Sequence, residues 1–144
     1  MDVSGAMKNI TIKRKRRPFK GYIAVDFDAV LATYNRPFIF DKLGEPNQDL
    51  IDVVNEYYDK GYYIYIFTGR IETPTILQWL KDNRVKYHSY NTVPDVNPYN
   101  SKAKPFYDVI IDDKSVNYHF RNNVKTKSEL RKEINKILNK YLND

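Results

Sequence analysis

The sequence has no cysteine, only two methionines, two histidines and one tryptophan in 144 residues. Without thiols there can be no disulfide, no thiolate metal ligand and no cysteine nucleophile, so a chain this small must be held by packing. His88 and His119 are far apart and lack metal-ligand spacing, which makes both structural. No stretch approaches the roughly 20 uninterrupted apolar residues that a membrane-spanning helix needs. The opening MDVSGAMKNITIKRKRR has basic residues but no apolar segment behind them, unlike a secretory leader, and the expected location is the cytoplasm. No internal repeat is present. Hydrophobic residues supply 42% of the chain and aromatics 15%, with 13 tyrosines, which suffices for one globular core.

Charge is unevenly placed. Residues 1–20 hold seven Lys or Arg against one acid, residues 21–113 nine against fourteen, and residues 114–144 eight against three. An acid-rich centre calls for a cation, and basic ends attract a polyanion. The run at 13–17, Lys-Arg-Lys-Arg-Arg, closed by Pro18, is the strongest candidate for nucleic-acid contact. The plain alternative is a solvated arm. Residues 1–20 therefore read as a basic arm and 21–144 as a single domain.

Tyr-Ile-Ala-Val-Asp-Phe at 22–27 and Tyr-Tyr-Ile-Tyr-Ile-Phe at 62–67 each follow a glycine and predict central strands. Between them Asn47 caps a helix over 47–60 with an apolar face of Leu50, Ile51, Val53, Val54, Tyr57 and Tyr58, and Gly61 suits the left-handed stop. Thr73-Pro74 opens a second helix carrying Ile76, Leu77, Trp79 and Leu80. A strand is expected over 85–90, then a loop with Pro94 and Pro98, then a strand over 108–113 whose end is acidic. Thr126 and Glu129 form a capping box before a final amphipathic helix. Strands alternating with helices predict right-handed crossovers and a parallel sheet covered on both faces, a three-layer α/β/α sandwich of Rossmann-like type. In such sheets ligands sit beyond the carboxyl ends of the strands. Those ends are loaded here: Asp26 and Asp28, then Thr68, Gly69 and Arg70, then Asp112 and Asp113.

Four carboxylates sharing a small volume either perturb one another's protonation or recruit a hard cation, and magnesium, which prefers oxygen ligands, is the natural ion. Thr68 offers a hydroxyl beside backbone N–H groups, and Lys102 or Lys104 an ammonium, for phosphate oxygens. Arg70 can either contact substrate or pair with a nearby carboxylate. Tyr34, Tyr90 and Tyr99 could stack on a base.

DFDAV at 26–30, FTGR at 67–70, a lysine at 102 or 104 and IIDD at 110–113 resemble, in order and strand context, the four motifs of the haloacid dehalogenase (HAD) superfamily of phosphatases, over roughly residues 22–118. The chain is most similar to small phage and bacterial members and to the phosphatase domain of polynucleotide kinase. The resemblance implies a HAD-like fold and an aspartyl-phosphate mechanism. Asp26 would be the nucleophile, Asp28 the acid and base, and Thr68 with Lys104 or Lys102 the groups that neutralise the phosphoryl oxygens. Gly69 and Arg70 would lie toward substrate. Asp26, the Asp28 carbonyl and one of Asp112 and Asp113 would hold Mg2+. Ala29 stands where the family commonly has glycine, and Val30 where it commonly has threonine; a Cβ at 29 restricts the turn after the nucleophile.

Only residues 33–46 are left for a flap, so no large cap domain is expected. An uncapped site and basic ends favour a phosphorylated nucleotide or nucleic-acid end as substrate. A catalytically weak HAD-like module that binds nucleic acid or protein is the alternative. A two-component receiver domain fits less well, because no aspartate ends the strand at 62–67.

Overall fold

The computed structural model describes residues 18–34, 38–93 and 104–142. The basic run at 13–17, Lys102, Pro94, Pro98 and Tyr99 lie outside the described residues. By internal contacts the expected domain of residues 21–144 divides into two compact units, Met1–Ile111 and Asp112–Asp144.

The first unit carries strands β1 (Tyr22–Val25), β2 (Tyr63–Ile66), β3 (Ser89–Tyr90) and β4 (Val109–Ile111), with helices α1 (Gln48–Asp59) and α2 (Pro74–Asp82). All strand pairs are parallel and the sheet order is β3-β2-β1-β4. This is the Rossmann-like α/β class, without a large cap. The helices begin where their caps dictate. The Asn47 side chain accepts from Leu50 N–H, Thr73 from Ile76 N–H, and Pro74 takes the first turn. Gly61, at φ 97°, stops α1 in a conformation that suits glycine.

One sheet face presents Ile23, Val25, Ile64 and Ile66, which pack with Ile51 and Val54 of α1 and Ile76 and Leu80 of α2. Both helices therefore cover the same face, because both crossovers move in one direction, from β1 to β2 to β3. On the opposite face Tyr22, Ala24, Tyr63 and Tyr65 meet Phe19, Phe67, Val93, Phe106, Tyr107 and Ile110. Among the described residues of this unit, side chains from strand ends and connecting segments, most of them aromatic, cover that side. Burial pushes the Tyr65 phenol up to about 12, helped by Tyr107, and its hydroxyl donates to the Phe106 carbonyl at 2.9 Å.

The third strand is shorter than the expected 85–90. The Lys86 N–H donates to the Asn55 side chain at 2.8 Å, and the Ile64 N–H donates to His88 Nδ1 at 3.0 Å. Side chains thus replace two ladder bonds before the strand begins. The His88 ring is stacked between Tyr58 and Tyr63, with centroids 4.4 and 4.6 Å away, the structural role expected of it.

Of the segment expected to form a small flap, residues 33, 34 and 38–46 are described. Its base is closed by Thr33 N–H to Glu45 O at 2.9 Å and Glu45 N–H to Thr33 Oγ1 at 2.8 Å. A Cβ on Gly44 would stand 1.9 Å from the Thr33 carbonyl oxygen, so only glycine fits there. Trp79 Nε1 donates to the Gly44 carbonyl at 3.0 Å and holds the returning arm against α2.

In the second unit a turn at 119–123 precedes helix α3 (Lys127–Leu142). The expected capping box is present: Glu129 N–H donates to Thr126 Oγ1 at 3.1 Å. His119 Nδ1 accepts from the N–H groups of Arg121 and Asn122, and Lys125 pairs with Glu133 at 2.6 Å. Among the described residues no helix is long and apolar enough to cross a membrane.

Candidate active site

Strand order reverses at β1, which leads to β2 on one side and has β4 on the other. Such a reversal leaves a crevice between the carboxyl ends of the two strands that flank it. Val25 is in register with Ile111, and the Asp26 N–H extends the pairing by donating to the Ile111 carbonyl at 3.0 Å. Asp26 thus stands at the mouth of the crevice from β1, and Asp112 is the next residue along the chain from the end of β4. The Asp26 carboxylate accepts from the Phe27 N–H at 2.7 Å. Within the second unit Asp112 accepts from the Lys114 N–H at 3.1 Å, and Asp113 accepts from the Tyr141 hydroxyl of α3. The donors offered at these strand ends are carboxylate oxygens, the hard ligands that suit magnesium.

After Asp26 the chain turns sharply. The Phe27 carbonyl accepts from Val30, Leu31 and Ala32 N–H groups at 3.2, 2.9 and 3.1 Å, while Phe27 and Leu31 are fully buried. Ala29 completes this turn at φ 61°, a left-handed conformation that is strained for any residue with a Cβ. This is the restriction that the sequence implied at 29. Asn47 ties the turn to α1, with its Nδ2 donating to Val30 O at 3.1 Å and its N–H to Leu31 O at 2.7 Å.

Thr68 lies just past β2 and is clamped by Asn91, which follows β3. Asn91 accepts from the Thr68 N–H at 2.8 Å and donates to the Thr68 carbonyl at 2.9 Å. The Thr68 N–H is thereby engaged, and of the two groups expected to offer a hydrogen bond here the hydroxyl is the one left outside the clamp. That hydroxyl already accepts from the Arg70 N–H at 3.2 Å. Gly69 is exposed and a Cβ there would meet nothing within 4 Å. The sequence reading missed Asn91. Its only signal was an asparagine at a strand exit, a residue type that tolerates the left-handed backbone it adopts at φ 54°.

Of the two roles open to Arg70, the structure shows pairing with a carboxylate. Its Nε and Nη2 donate to the two oxygens of Asp28 at 2.7 and 2.9 Å, and its Nη1 donates to the Phe40 carbonyl at 3.0 Å. The residue is 9% exposed, and its guanidinium lies 4.5 Å from the Phe38 ring centroid. Tyr90 is buried and donates its hydroxyl to the Arg70 carbonyl at 2.8 Å, so it is not a stacking surface for a base. Burial, and then the Glu72 carboxylate, push the Tyr90 phenol up to about 12, which keeps that donor protonated at neutral pH.

The structure therefore gathers Asp26, Asp28, Thr68, Gly69 and Arg70 on the carboxyl rim of the sheet. Lys104 is described and exposed, ahead of β4.

No family model matches the chain, and no curated protein matches it in sequence. Among solved structures, a conserved protein from Bacteroides thetaiotaomicron is similar, with a TM-score of 0.54 and 17% identity over 81% of this chain and 90% of that one. At that identity the likeness is one of fold, and it is the α/β fold that the two chains share.

Proposed function

We propose that the protein is a magnesium-dependent phosphomonoester hydrolase of the HAD type, acting on a phosphorylated nucleotide or nucleic-acid end. The observation that carries this reading is the placement of Asp26 at the topological switch point, hydrogen-bonded to the last residue of the strand that leads into Asp112 and Asp113. The proposed ligands of one Mg2+ are Asp26 and one of Asp112 and Asp113, together with the Asp28 carbonyl. A carboxylate attacks a phosphate dianion poorly until their mutual repulsion is cancelled. Bound magnesium would supply that cancellation. The chain's own residues do the rest. Asp26 attacks phosphorus in line and forms an aspartyl-phosphate as the ester oxygen leaves. Asp28 gives that oxygen a proton and afterwards takes one from the water that hydrolyses the acyl phosphate. The Thr68 hydroxyl and the ammonium of Lys104 or Lys102 hold the transferring oxygens, with Gly69 on the substrate side and Arg70 paired with Asp28.

The test is release of inorganic phosphate from a 3′-phosphorylated oligonucleotide and from nucleoside monophosphates, with and without magnesium. Release that needs the metal and disappears in Asp26→Asn is expected. No release from either substrate class, or equal release by Asp26→Asn, refutes the reading.

Two observations favour the alternative, a catalytically weak HAD-like module that binds nucleic acid or protein. Both oxygens of Asp28 are occupied by Arg70, and the turn beside Asp26 is strained at Ala29. Salt-dependent nucleic-acid binding that survives Asp26→Asn but vanishes on deletion of residues 1–20 would select that alternative.

A further inference from the structure

A buried guanidinium is costly unless it is paired, and each of the three nitrogens of the Arg70 guanidinium donates to one of two partners from different segments. Nε and Nη2 grip the Asp28 carboxylate, just after β1. Nη1 grips the Phe40 carbonyl, on the flap, and the Phe38 ring lies over the guanidinium at 4.5 Å. Arg70 is itself fixed from behind, since its N–H donates to Thr68 Oγ1 and its carbonyl accepts from Tyr90. Phe38, Ile39 and Phe40 are roughly half exposed, so packing alone holds this part of the flap weakly.

We infer that Arg70 is a positioning residue that makes the orientation of Asp28 and the closure of the flap over 38–45 one coupled event. Releasing Asp28 from the guanidinium frees the anchor of Phe40, and lifting the flap removes the ring and the carbonyl that hold the guanidinium toward Asp28. Arginine suits the position because its planar fork presents separate nitrogens, in fixed directions, to the two carboxylate oxygens and to a third acceptor, whereas a lysine ammonium gathers its three donors at a single point. The role assigned to Asp28 rests on the functional reading above, whereas the coupling itself does not.

Amide hydrogen exchange of the full chain, read over 38–45 and over β2 as an internal reference, tests the coupling without any assay of activity. Asp28→Asn keeps the shape of the side chain and removes its charge. Arg70→Lys keeps the charge and removes the fork. Each variant is expected to speed exchange in 38–45 by about tenfold or more, the loss of a charge-assisted pair, while β2 is unchanged. Unchanged exchange in 38–45 in both variants overturns the inference. Faster exchange everywhere in both also overturns it, since the pair would then hold the fold rather than the flap. If the protein releases phosphate, Arg70→Lys should lower kcat with little change in KM. A variant with wild-type kcat contradicts the positioning of Asp28. Absence of phosphate release in the wild type would refute the functional reading and leave the exchange result standing on its own.

Discussion

Ala29 occupies the most telling backbone position in the site, and replacing it with glycine has a calculable outcome. At φ 61° an alanine bears roughly 1–2 kcal/mol of steric cost that glycine escapes. Glycine gives part of this back, about 0.4–1 kcal/mol, because it gains more freedom in the unfolded chain. The side chain is exposed, so removing the methyl forfeits almost no burial. Ala29→Gly is therefore expected to stabilise the protein by about 0.5–1 kcal/mol, a rise of roughly 1–4 °C in Tm for a chain of this size. Arg84, exposed and at φ 56° just past α2, provides a control remote from the rim, and Arg84→Gly should act with the same sign. Thermal and urea unfolding of the two variants beside the parent would measure both. A fall in stability of about 1 kcal/mol or more in Ala29→Gly, with Arg84→Gly behaving as expected, would mean that residue 29 is not left-handed and that the turn after Asp26 differs from the one described.

Asn91→Gly preserves the left-handed backbone but removes both hydrogen bonds to Thr68, and should cost about 1–3 kcal/mol in urea unfolding. A change below about 0.5 kcal/mol would show that the clamp contributes little. Burial lowers the pKa of His88, and its Nδ1 must stay unprotonated to accept from Ile64. In the unfolded chain the imidazole titrates near 6.5, so the unfolded state binds the proton more readily than the folded one. The stability from this ring is then fully present above about pH 6.5 and is lost as pH falls from there through the lower folded value. Tm measured from pH 5 to 8 should show that loss in the parent and a flatter profile in His88→Asn; identical profiles would contradict it.

Much of the fold was legible because local chemistry agreed with the global arrangement. Asn47, Gly61, Thr73-Pro74 and Thr126 with Glu129 each solve a helix-terminus problem within a few residues, so their signals survive folding. The third strand was overestimated because Asn55 and His88, distant in sequence from the groups they satisfy, take N–H groups that pairing would otherwise use. Such substitutions depend on tertiary proximity and leave no periodicity. The same applies to the rim. Its loading with Asp26, Asp28 and Thr68 follows from strand ends, but the partner of Arg70 was set by the path of the flap. The aromatic covering of one sheet face was hidden too, since Tyr22, Tyr63 and Tyr65 read equally well as half-buried strand positions.

The most direct test is calorimetric titration of the full chain with Mg2+, alone and after Asp26→Asn or Asp112→Asn. One ion per chain is expected, with affinity falling at least about tenfold in each variant, as the loss of a charged oxygen ligand demands. Absence of magnesium binding by the parent, or affinity untouched by Asp26→Asn, would contradict the claim that these strand ends form a metal-assisted phosphoryl-transfer site.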